Sequence, residues 1–113
     1  MTLPDGPSGR LRRAALVAAF ALLGGPAPAR ADGQLAADKG CLSCHSSRTP
    51  KKNVATFAQL AERYAPLKAQ PDALRDRAEK LRSGAIADHV NAHERLSAEE
   101  SARLVQWLAD GAP

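Results

Sequence analysis

The chain is short of almost everything that lets 113 residues hold themselves together. Four residues are aromatic, Phe20, Phe57, Tyr64 and Trp107, and two are cysteine, Cys41 and Cys44. Two cysteines cannot build the multi-bridge framework that staples small exported domains, and they are half of a four-thiolate zinc site. The one methionine is Met1, so the rest of the chain has no thioether sulfur to offer a metal. Strand signals are absent throughout, which excludes a sheet and points to an all-α fold of three to four helices. The longest unbroken apolar run, Ala14 to Leu23, has ten residues, too few to cross about 30 Å of hydrocarbon.

What the chain does have is Cys41-Leu42-Ser43-Cys44-His45. C-x-x-C alone is open to three readings: half a zinc site, a redox dithiol or a disulfide. Zinc needs two more good ligands, and thioredoxin-like chemistry needs a strand before the motif. With histidine next in line the pattern is C-x-x-C-H, the mark of covalent c-type haem attachment. Two thiols add across the two vinyl groups as thioethers. The two-residue spacing lets one backbone turn present both sulfurs along one porphyrin edge. The adjacent histidine falls under the iron as proximal ligand. The candidate cofactor is therefore one covalent haem c on Cys41 and Cys44, with His45 on iron.

The N-terminus reads as a secretory signal peptide over residues 1–31. Arg10, Arg12 and Arg13 precede the apolar run, Gly24, Gly25, Pro26 and Pro28 break it, and Ala29-Arg30-Ala31 fits a small-x-small cleavage site. The mature domain is expected to be 32–113, periplasmic and without a membrane span. Residues 1–31 carry four of the 16 Lys and Arg and one of the 12 Asp and Glu. The remainder, 12 against 11, is nearly neutral, and no basic patch argues for nucleic acid. A domain this small rarely builds an adequate core unaided. A large apolar disc tied on by two bonds is a plausible missing core.

Along the mature chain, Gln34 to Lys39 predicts a short helix closed by Gly40. Ser46 to Asn53 is a polar, basic loop. Val54, Phe57, Leu60, Ala61 and Tyr64 recur at helical spacing and predict a helix over Val54–Tyr64. Ala65 to Gln70 is a turn around Pro66. Pro71 opens the next helix, whose apolar face is Leu74, Ala78, Leu81 and Ala85, with Gly84 able to relax or end it. Arg75 to Arg82 alternates in sign, as on a solvated face. Ile86 to Arg95 shows no clear pattern. Ser97-Ala98-Glu99-Glu100 is a capping box for a last helix with Ser101, Leu104, Val105 and Leu108 on one side.

The order of these parts resembles a small bacterial class I cytochrome c over most of residues 34–110. Leu35 to Cys41 is similar to that family's helix into the haem motif. Phe57 to Tyr64 and Leu74 to Gly84 are similar to its middle helices, and Leu96 to Leu108, with Trp107, to its last. Three departures stand out. Where the family has Gly-Pro, whose proline carbonyl holds the proximal histidine, this chain has Val54-Ala55, and a backbone carbonyl is still on offer there. The family's stretch of glycine and tryptophan before the distal ligand is missing or shortened. Its distal methionine, in the loop before the last helix, has no counterpart.

That loop reads Asp88-His89-Val90-Asn91-Ala92-His93-Glu94-Arg95-Leu96. Counting back from Leu96-Ser97 places the missing methionine near Val90. The expected distal ligand is thus His89, with His93 the runner-up and Asn91 a remote third. Two histidine ligands would lower the potential relative to methionine–histidine ligation. Trp107 and Tyr64 are expected in the core or at the haem rim. Arg48, Lys51 and Lys52 are either a solvated loop or a dock for an acidic redox partner. The resemblance implies a monomeric, periplasmic carrier of single electrons between partner proteins rather than an enzyme. The alternatives are a gas-binding or sensing haem protein, or a haem subunit of an oxidoreductase.

Overall fold

The computed structural model describes Thr2 and residues 28–113, the side chains of that span from Asp32 onward. Among the described residues six α-helices follow one another: α1 (Pro28–Asp38), α2 (Leu42–His45), α3 (Phe57–Tyr64), α4 (Pro71–Arg82), α5 (Asn91–Glu94) and α6 (Ala98–Ala109), with a 3₁₀ turn at Ala65–Leu67. There is no strand among the described residues. Four of the helices have eight residues or more, and α2 and α5 are single turns.

Helix α6 is the element the others lean on. Ser97 starts it with the expected capping box: its hydroxyl accepts from the Glu100 amide at 3.0 Å, and its own amide donates to the Glu100 carboxylate at 2.9 Å. Ser101, Leu104, Val105 and Leu108 are buried as the spacing predicts, together with Trp107 and Ala109. Helices α1, α3 and α4 all pack on this face. The core is small: Ala36, Tyr64, Leu74, Ala78 and Leu96 complete it.

Helix α1 is tied to α6 by two ion pairs. Arg103 donates through Nε and Nη2 to Asp32 Oδ1, both at 2.9 Å, and Lys39 Nζ lies 2.7 Å from Glu100 Oε1. It is longer than Gln34–Lys39, beginning at Pro28. The expected cleavage after Ala31 falls in its first turn. The rest of the expected signal peptide lies outside the described residues. Gly40, at φ +77, closes α1 by letting the amides of Gly40 and Cys41 return to the carbonyls of Ala37 and Ala36. The C-x-x-C-H motif therefore starts directly after the glycine that closes α1.

Two boundaries differ from the periodicity. Helix α3 starts at Phe57 rather than Val54, because Thr56 and Gln59 form a second capping box that sets the first turn. Helix α4 ends at Arg82, and Gly84 at φ +82 turns the chain away. Ala85 is therefore exposed and off the helix, while Leu74 and Ala78 are buried. The outer face of α4 carries the pairs Asp72–Arg75, Asp76–Lys80 and Glu79–Arg82 in solvent. No helix among the described residues is long and apolar enough to cross a membrane.

Leu104 sits where α6 faces both the core and the cavity described below. Leu104→Ala should cost the holoprotein about 2–5 kcal/mol, read as a lowered denaturant midpoint. Ala102→Ser, on the exposed side of the same helix, should stay within about 0.5 kcal/mol.

Candidate functional site

Cys41, Cys44 and His45 share one turn. The amides of Cys44 and His45 both return to the Cys41 carbonyl, at 3.2 and 3.0 Å. Cys41 is half-buried and Cys44 exposed, and they form no disulfide with each other. Burial pushes the Cys41 thiol up from its ordinary pKa; its backbone hydrogen bond pulls the other way.

His45 Nδ1 bonds to the carbonyl of Ala55. A carbonyl only accepts, so Nδ1 carries the proton and Nε2 keeps its lone pair. This is the carbonyl in the place of the proline carbonyl of class I cytochromes. Ala55 is available because Thr56 caps α3 and leaves the preceding residues outside the helix. The first residue of α3, Phe57, packs at 5.6 Å from the His45 ring, and Trp107 meets Phe57 edge-on at 5.2 Å.

Across from His45 stands His93, from α5. The two rings are nearly parallel, 17° apart, with centroids separated by 6.3 Å. His93 Nδ1 is buried and has no hydrogen-bond partner. Burial, and then the nearby His45, hold the His93 pKa below its ordinary value.

The other distal candidates are elsewhere. His89 is 79% exposed at its side chain, and its Nδ1 lies 2.8 Å from Glu94 Oε1. Asn91 is exposed on the wall of an open polar groove with Lys39 and Arg95. One signal in the sequence separates the two histidines. Leu96 is a core residue, 4% exposed, and His93 precedes it by three positions, on the same side of a helical turn.

Two connected cavities meet between the rings, of about 50 and 280 Å³, and share Cys41, His45, Leu60 and His93. The smaller runs inward to Leu81, Leu104 and Trp107 and is almost wholly apolar. The larger opens past Val54, Ile86 and Val90 towards Cys44 and Arg63. Trp107 lends this space only its ring, since its indole nitrogen donates to the Pro113 carbonyl at 3.2 Å. Tyr64 is buried outside both cavities. Burial raises its hydroxyl pKa, with Arg77 and Arg63 acting in the opposite direction.

Comparison with known proteins gives the family. Over 78 residues the chain is 32% identical to cytochrome c-552 of Hydrogenobacter thermophilus, an alignment covering 69% of this chain and 79% of the relative. The chain belongs to the c-type cytochromes. No family model and no solved structure matches it.

The cofactor of this cytochrome is covalently bound haem c. The residues present fit that group: two thiols on one turn, an imidazole nitrogen with a free lone pair beside them, a buried imidazole opposite, and apolar walls between. The orphaned His93 nitrogen is the telling detail, because a buried polar atom without a partner is rare in a native fold.

Proposed function

We propose that this cytochrome carries single electrons between redox proteins on one haem, attached by thioethers to Cys41 and Cys44. His45 is the proximal ligand and His93 the distal one. The observation that carries this reading is the pair of near-parallel imidazoles 6.3 Å apart. Two imidazoles on opposite sides of one metal, each at about 2.0 Å from it through nitrogen, have ring centres roughly 6 Å apart. The geometry thus favours His93 over His89, the residue that counting back from Leu96 put first.

The haem supplies a reversible one-electron couple, and the chain's own residues set its surroundings. Ligation on both sides leaves iron no open position for a substrate, which suits a carrier better than an enzyme. Imidazole in place of thioether sulfur lowers the potential. The exposed Cys44 side, with Arg48 and Lys51 near it, offers the approach for an acidic partner. Residues 1–31 act as a cleaved signal peptide, delivering the protein to the periplasm before haem attachment. Gas binding is the second reading, favoured by one observation: His93 sits on a single helical turn rather than on a long helix.

Two measurements check the proposal. Intact mass of the exported protein should equal the chain from Asp32 plus one haem, resistant to acid–acetone extraction. In absorption spectra, His93→Ala should convert low-spin to high-spin haem and admit carbon monoxide rapidly, and His89→Ala should stay low-spin. The reverse pattern would return the distal role to His89. A wild-type ferrous protein that is high-spin and binds carbon monoxide at once would favour the gas binder.

A further inference from the structure

The segment between α4 and α6 holds a contact that haem ligation does not use. Gly84 turns the chain at φ +82 and is itself buried. His89 is left-handed at φ +45, a conformation histidine enters more readily than most side chains but still uncommonly. Glu94 ends α5. These three meet. His89 Nδ1 donates to Glu94 Oε1 at 2.8 Å. A Cβ on Gly84 would lie 2.8 Å from the same oxygen and 3.3 Å from the His89 ring nitrogen. The Glu94 carboxylate is thus wedged between the backbone at 84 and the ring at 89. It closes a span whose inner residues, Ile86 and Val90, line the larger cavity.

We infer that Gly84, His89 and Glu94 form a clasp and that Glu94 is a positioning residue, holding the 84–94 segment so that His93 stays opposite His45. The consequence for haem rests on His93 being the distal ligand; the clasp itself does not. An exposed side-chain pair of this kind is by itself worth little. This one joins the two flanks of the segment and holds a non-glycine residue in a left-handed conformation, which persists only where its surroundings over-determine it. His89 has a role here that needs no iron.

The test uses the holoprotein, with hydrogen exchange resolved over peptides spanning 85–93 and the carbon monoxide association rate. Glu94→Ala should speed exchange across that segment about three- to fivefold and speed carbon monoxide binding to a similar degree. Gly84→Ala should do the same, because its methyl group meets the carboxylate and strains the left-handed backbone at φ +82. Glu94→Gln should behave like the wild type, since its amide oxygen still accepts from His89. Unchanged exchange in both Glu94→Ala and Gly84→Ala overturns the clasp, whatever the spectra show. Glu94→Gln as loose as Glu94→Ala overturns the hydrogen bond as its working part. Faster exchange in Glu94→Ala, together with carbon monoxide binding that neither it nor His93→Ala alters, keeps the clasp and removes His93 as ligand.

Discussion

The hydrogen bond from His45 Nδ1 to the Ala55 carbonyl governs more of this molecule than its size suggests. It leaves the other ring nitrogen with its lone pair and aims it into the cavity region. It also requires Ala55 to stay outside α3. The Thr56–Gln59 capping box meets that requirement by starting the helix one residue after the cap, with Phe57 against the His45 ring. The same few residues thus orient the ring, place its aromatic neighbour and position the helix that carries Leu60 and Tyr64. A proline carbonyl is not needed for this arrangement. An alanine carbonyl serves once a cap stops the helix short of it.

The rest of the structure supplies walls rather than a self-sufficient core. Helix α6 provides Leu104, Trp107 and Leu108 to the inner cavity, α3 provides Phe57 and Leu60, and α4 provides Leu81. These side chains pack on one another and also line the space beside His45 and His93. Covalent haem resolves the shortage of large apolar side chains, because one rigid disc does the work of several and is fixed by two bonds. The ties between α1 and α6, through Asp32–Arg103 and Lys39–Glu100, then hold the helix that leads into the haem motif.

The legible parts of the sequence were those where one residue type has one local job. The Ser97 capping box, Pro71 at a helix start and Gly40 at a helix end all act within a turn of themselves. The core face of α6 was legible because four positions share one period. Helix α3 was drawn too long because Val54 keeps the period although Thr56 ends the helix; the cap outranks the period. Ala85 was drawn into α4 by spacing alone, although Gly84 beside it offered the helix end that the structure uses. The placement of the two loop histidines was the hardest to read. Counting back from Leu96 put His89 first, whereas a single helical turn brings His93 opposite His45 and leaves His89 exposed, bonded to Glu94; on our proposal His93 is the distal ligand. That placement depends on contacts between residues 84, 89 and 94, which no periodicity encodes.

Electron paramagnetic resonance of the ferric holoprotein tests the central arrangement, two near-parallel imidazoles from His45 and His93 on one iron, most directly. Imidazole planes 17° apart give a rhombic low-spin spectrum, and His93→Ala should replace it with an axial high-spin one. A high-spin signal in the wild-type protein, the strongly anisotropic low-spin signal of crossed planes, or a rhombic spectrum that survives His93→Ala would contradict it.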